Sequence, residues 1–138
     1  MLAKDIMTEN PVTATELMSV AEALGILYEL DVRHLPVVRG RELAGIVSDR
    51  DLRAFIQASE DDAIDAIENA RSATIGDFMN TDPVTVDPET NVTEIVELML
   101  MHRVGAIPVA DLDTGDLIGI VSYIDLLRVL QETLESAK

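Results

Sequence analysis

The stretch GIVSDRDL, residues 45–52, returns as GIVSYIDL, residues 119–126. In both, an aliphatic run ends at a serine and an aspartate follows three positions later. The run has the apolar continuity of a buried strand, and the Ser-x-x-Asp has the chemistry of a helix start, with a hydroxyl to cap the first turn and a carboxylate for its positive end. Working outward, DIMTENPVTA (Asp5–Ala14) matches DFMNTDPVTV (Asp77–Val86) at an offset of 83 − 11 = 72. At the same offset Val20 meets Val92, Glu22 meets Glu94, Val32 meets Val104, and LPVV (Leu35–Val38) meets IPVA (Ile107–Ala110). The offset then grows to 119 − 45 = 74, because the second copy carries a longer turn, DLDTGD. A fixed order of matches over most of the chain is the signature of an internal duplication.

Each copy parses alike. An extended piece, PVT, follows the proline that biases its neighbour away from helix. A helix comes next, announced by capping-box pairs, Ser19 with Glu22 and Asn91 with Glu94. Val20, Ala23, Leu24, Leu27 and Leu30 fall at helical spacing, as do Val92, Ile95, Val96 and Met99. Two short strands follow, LPVVR and LAGIV in the first copy and IPVAD and LIGIV in the second, joined by glycine-bearing turns. A second helix should begin near Asp49 or Arg50, and near Tyr123 or Ile124. The expected organisation is a first repeat over 1–58, an acidic helical linker over 59–75, with Ile64 and Ile67 following Ser59, and a second repeat over 76–138.

Composition narrows the function. Of 138 residues 48% are apolar but only 3% aromatic, so the core must be aliphatic, which favours an α/β protein. Twenty-six acidic against ten basic side chains give a net charge of −16. That balance argues against non-specific nucleic-acid binding and against attraction to anionic membranes, both of which draw on Lys and Arg. The absence of cysteine removes disulfides, thiolate metal sites and a cysteine nucleophile. No apolar run is long enough for a signal peptide or a bilayer span, so a cytoplasmic location is expected.

The Ser-x-x-Asp junction itself allows two readings. Ser48 and Ser122 can simply cap their helices. Alternatively the same hydroxyl and orphan N–H groups can hold a phosphate, while an ionised aspartate accepts both hydroxyls of a ribose. Gly45 and Gly119 would let something pack closely against the strand.

The order DIMT-x-NPVT, RHLPVV, GIVSDRDL, followed by DFM, DPVT, AIPV and GIVSYIDL, resembles a tandem pair of cystathionine-β-synthase (CBS) domains from Asp5 to about Leu130. The resemblance implies an α/β (α+β type) fold: two tandem β-α-β-β-α units packed sheet to sheet with pseudo-two-fold symmetry, often dimerising. It also implies adenosine-containing ligands (AMP, ADP, ATP, S-adenosylmethionine) in clefts between the repeats, with AMP the leading expectation for an energy-sensing module. Carried over by residue, the ligand-binding motif is Gly45, Ile46, Ser48, Arg50 and Asp51, and again Gly119, Ile120, Ser122 and Asp125. The base pocket would use Val12, Thr13 and Ala14, and Val84, Thr85 and Val86, with Ile107 nearby; Arg33 and His34 would meet phosphate. The second copy departs from this pattern: Gly105 and Ala106 replace Arg33 and His34, and Ile124 replaces Arg50, leaving Arg103 as its nearby cation. The first site should therefore be the better phosphate site.

Neither histidine, His34 or His102, has the partners of a catalytic or metal site, and no P-loop or G-x-G-x-x-G is present. No metal or obligatory cofactor is expected, and nothing in the sequence demands magnesium. Leu98–Met101 make one helix apolar nearly all round, as at a subunit interface, so a homodimer is expected. The resulting expectation is a non-enzymatic regulatory module that senses an adenosine nucleotide and signals to an effector in trans. The alternative is an interaction or dimerisation module with vestigial sites.

Overall fold

The computed structural model describes residues 1–58 and 63–137; Ser59, set above before the linker helix, lies outside the described residues. In chain order the elements are α1 (Ala3–Ile6), β1 (Thr8–Glu9), α2 (Val20–Leu30), β2 (His34–Arg39), β3 (Glu42–Ser48), α3 (Asp49–Ala58), α4 (Ala63–Ser72), a 3-10 turn (Ile75–Asp77), α5 (Val92–His102), β4 (Ala106–Ala110), β5 (Leu117–Ser122) and α6 (Tyr123–Ser136). They form two compact units. One is contiguous, Val12–Asp82; the other is split, Met1–Pro11 with Pro83–Lys138.

In the contiguous unit β2 and β3 form an antiparallel hairpin, with His34 opposite Ser48 and Val37 opposite Gly45. Ala14 bridges Val37 in parallel on the far side of β2, so the PVT segment contributes a single bridge rather than a strand. The split unit repeats this with β4 and β5, Ala106 opposite Ser122, and with Val86 bridging Val109. The consecutive apolar residues of the β2 and β4 strands are buried on both faces, all five of β4 among them. The cores are separate and similar. Val20, Leu27, Leu35, Val37, Val47 and Leu52 anchor one, while Ile95, Met99, Ile107, Val109 and Val121 anchor the other.

The helix starts follow from local chemistry. The Ser19 hydroxyl accepts from Glu22 N–H at 3.0 Å and lies 3.2 Å from the Glu22 carboxylate, closing the first helix of the contiguous unit. Asn91 behaves differently from the capping-box expectation: its side-chain oxygen accepts from Thr93 N–H, one position earlier, at 2.9 Å. A carboxamide reaches the second turn donor and leaves Glu94 free of the box. Both helices end on a non-glycine residue in the left-handed region, Asp31 (φ 53°) and Arg103 (φ 54°).

The cuts between units do not fall where the repeats do, because each repeat's leading segment joins the other repeat's body. Residues 73–80 run along the contiguous unit through Val20 N–H to Ala73 O, Ile75 N–H to Met18 O and Gly76 N–H to Glu16 O. The matching bonds of the split unit are Val92 N–H to Met1 O, Ala3 N–H to Thr90 O and Lys4 N–H to Pro88 O. Every atom pair corresponds at the offset of 72. The exchange ends at the sheets: Asn80 bridges Ile46, and Thr8 in β1 pairs with Ile120.

Candidate ligand-binding site at the two Ser-x-x-Asp junctions

The glycines of the duplicated motif are explained by this exchange. A Cβ on Gly45 would stand 2.5 Å from the Asn80 carbonyl oxygen, and one on Gly119 would stand 2.7 Å from Met7 Sδ and 2.8 Å from Thr8 O. The close packing that the sequence anticipated there is filled by the chain's own leading segments.

At the first junction β3 ends at Ser48 and α3 begins with Asp49. Ser48 Oγ accepts from Asp51 N–H at 3.1 Å, so the serine caps the helix from its own side. The Asp51 carboxylate is left exposed, and no hydrogen bond or ion pair among the described residues engages it. Asp49, two residues earlier, is occupied: Arg53 Nε donates to it at 2.8 Å and Arg33 lies 3.9 Å from its other oxygen. The hairpin register sets His34 beside this group. Burial pushes the His34 imidazole below its ordinary 6.5, and the negative charges of Asp51 and Asp49 oppose that shift. A cavity of about 450 Å³ opens next to it, lined by Leu27, Tyr28, Asp31, Val32, Arg33, Asp49 and Arg53.

The second junction uses the same residues differently. Asp125 Oδ2 accepts from Ser122 N–H at 2.8 Å and from the Ser122 hydroxyl at 3.2 Å. Arg128 lies 3.6 Å from the other oxygen, and the carboxylate is only 12% exposed. Here the aspartate, not the serine, holds the helix start. Tyr123 replaces Asp49, so the arginine-binding carboxylate of the first junction has no counterpart.

The other sequence-derived residues divide between surface and core. Val12 is exposed and Thr13 half-buried, and the Ala14–Val37 bridge carries both toward the His34–Ser48 end of the hairpin. Val84 and Thr85 stand equivalently in the split unit, with Thr85 Oγ1 donating to Pro83 O at 2.9 Å. Ala14, Val86 and Ile107 are core residues, while Ile46 and Ile120 are half-buried. Arg50 and Arg103 are exposed, the latter at the left-handed end of α5. The sequence reading missed Asp49 and Arg53; their i, i+4 spacing was the available signal. Among the described residues no group of three or more His, Cys, Asp or Glu is placed to hold a metal ion, and no helix is long and apolar enough to cross a membrane.

A duplicated hairpin-and-helix unit, each copy ending a strand at a capped, acid-bearing helix start, is the architecture of a tandem domain pair. The chain belongs to the CBS-domain family, whose model matches residues 3–58 and 75–132. It is similar to a CBS domain-containing protein of Dictyostelium discoideum, 34% identical over 97% of this chain and 94% of that one. Further curated relatives are longer chains, of which it spans 15–25%. Among solved structures it is similar to the CBS-pair protein CBSX2 of Arabidopsis thaliana in complex with AMP (32% identity, TM-score 0.79, 96% and 97% of the two chains). It is also similar to a CBS domain pair in complex with 5′-methylthioadenosine and S-adenosyl-L-methionine (27% identity, TM-score 0.81, 94% and 99%).

Proposed function

We propose that this chain is a regulatory module that binds an adenosine nucleotide, AMP by preference, and passes its occupancy to an effector protein in trans. It acts as a cytoplasmic homodimer and catalyses no reaction of its own. The observation that carries this reading is the free, exposed Asp51 carboxylate at the capped start of α3, with Arg33 and Arg50 as the cations of the same junction and the half-buried His34 imidazole beside it. An ionised carboxylate in that state can accept two ribose hydroxyls without first breaking a bond. The cations beside it suit a phosphate. Relatives of similar fold that hold AMP, or 5′-methylthioadenosine and S-adenosyl-L-methionine, support the ligand class.

The second junction favours a weaker role. Ribose binding through Asp125 would have to displace Ser122 and Arg128, so this half supports the alternative of a vestigial site. Calorimetry with AMP, adenosine and S-adenosylmethionine tests both halves. AMP should bind, and Asp51→Ala should weaken it by roughly 10–100-fold, the value of a charge-assisted hydrogen-bond pair. Undiminished AMP affinity in Asp51→Ala would remove the ribose role. No binding of any adenosine compound would leave the interaction-module reading.

A further inference from the structure

The cavity at the end of α2 lies wholly within the contiguous unit, and its lining is of two kinds. Leu27 and Val32 give it an apolar wall, while Arg33 and Arg53 bring guanidinium groups and Asp31 and Asp49 bring carboxylates. The wall belongs to the fold. At the offset of 72 the second repeat has Met99 and Val104 in place of Leu27 and Val32, and both pack on its core. The charges do not belong to it. Asp31 and Arg33 become Arg103 and Gly105, and at the offset of 74 Asp49 and Arg53 become Tyr123 and Leu127, yet that repeat closes an equivalent core. Nor does stability account for them, because an i, i+4 ion pair with an arginine this exposed contributes little. The charged lining is therefore an addition particular to the first copy.

The arginines stand as available donors. Asp49 takes Arg53 through Nε alone and has Arg33 at 3.9 Å. No other hydrogen bond or ion pair among the described residues engages either guanidinium, so the terminal nitrogens of Arg53 and those of Arg33 remain for a ligand. A pair of arginines gathered on one anchor suits a carboxylate, which guanidinium groups take with parallel N–H···O bonds. One lining carboxylate is left over. Asp31, the left-handed C-cap of α2, is engaged through its side chain by no hydrogen bond or ion pair among the described residues. It is an acceptor for an ammonium group. The lining charges cancel, which disfavours a doubly charged phosphate and suits a ligand that carries one charge of each sign. The geometry points to a free α-amino acid with an apolar side chain, a zwitterion at neutral pH, as the ligand of this cavity. Its carboxylate meets Arg33 and Arg53, its ammonium group meets Asp31, and its side chain lies on Leu27 and Val32. The volume of about 450 Å³ falls within the roughly 300–1,000 Å³ usual for ligand pockets. The site shares Arg33 with the nucleotide reading but not Ser48, Arg50 or Asp51, so it is a second input to the same unit.

Calorimetry of the intact chain at neutral pH, with L-leucine as the probe, should show one site per chain. Isocaproate lacks the ammonium group and isoamylamine lacks the carboxylate; each should bind at least roughly 10-fold more weakly, the value of a charge-assisted hydrogen bond. Arg53→Leu installs the residue of the second copy at an exposed position. It should weaken leucine binding by roughly 10–100-fold, with helical circular dichroism and AMP affinity unchanged. Asp31→Asn keeps a residue that tolerates the left-handed backbone and should remove the preference for leucine over isocaproate. Undiminished leucine binding by Arg53→Leu, or equal affinity of the wild-type chain for leucine and isocaproate, overturns the amino-acid site. So does a wild-type chain that binds no leucine at millimolar concentration. Loss of leucine and AMP together in Arg53→Leu would make the two sites one and overturn it as well.

Discussion

The two Ser-x-x-Asp junctions share four consecutive residues before the helix and yet are wired in opposite directions. At the first, Ser48 reaches forward to Asp51 N–H and leaves the carboxylate open. At the second, Asp125 reaches back to Ser122 with one oxygen and pairs with Arg128 through the other. What differs is the surroundings: Asp49 pairs with Arg33 and Arg53 at the first helix start, whereas the second has Tyr123, Gly105 and Leu127 at the matching places. One motif thus caps its helix through the serine hydroxyl in one copy and through the aspartate carboxylate in the other. A duplicated signature is evidence of shared ancestry of geometry, and each copy's chemistry has to be read from its own neighbours.

The most severe test of the likeness between the halves is at the glycines. Gly45→Ala should cost about 2–3 kcal/mol, because the added methyl meets a backbone carbonyl that cannot move without breaking the Asn80–Ile46 pairing. Gly119→Ala should cost a little less, about 2 kcal/mol, because Met7 Sδ at 2.7 Å can swing aside while the Thr8 backbone carbonyl oxygen at 2.8 Å has to shift. Equal losses by denaturant titration would mean that the two crossings are equally rigid. The aspartates should then sort the other way. Asp125→Ala removes a cap and should lower stability by about 1 kcal/mol, while Asp51→Ala, whose helix keeps Ser48, should stay within about 0.5 kcal/mol. Thermal melts of the ligand-free variants check this, and a larger loss for Asp51→Ala would reverse the comparison.

The smallest effect concerns pH. Burial lowers the His34 pKa in the folded chain, so below 6.5 the unfolded chain binds the proton more readily. Stability from this group is complete above that value and falls as the pH drops through it toward the lowered one. His34→Gln should flatten the slope as the pH falls through and just below 6.5, above the range in which most carboxylates titrate; an unchanged slope would assign it elsewhere. The second repeat has Ala106 at the matching place and contributes nothing of this kind.

Much of this architecture was legible in the residues. The strands declared themselves as aliphatic runs, and the helix starts followed the caps closely, with α3 and α6 beginning at Asp49 and Tyr123. The poverty of positive charge in the second copy was visible as Gly105, Ala106 and Ile124. The exchange of leading segments was not, because a repeat pattern looks the same whether DIMT packs on its own copy or on the other. The direction of each serine–aspartate bond was equally hidden, since the same pair of residues can make either bond. The apolar stretch at Leu98–Met101 drew attention to α5. There Met99 proved to be core, while Leu100 and Met101 are exposed.

The traded segments also bear on how the chain is made. As it emerges from a ribosome, Val12–Asp82 contains everything its unit needs, including residues 73–80, and can close while synthesis continues. The first eleven residues have no such partner. Their bonds run to Pro88, Thr90, Val92 and Ile118, so they must wait for nearly the whole chain before they can be docked. The long closure this demands is the slow kind of contact, and it makes the N-terminus the last piece to be placed.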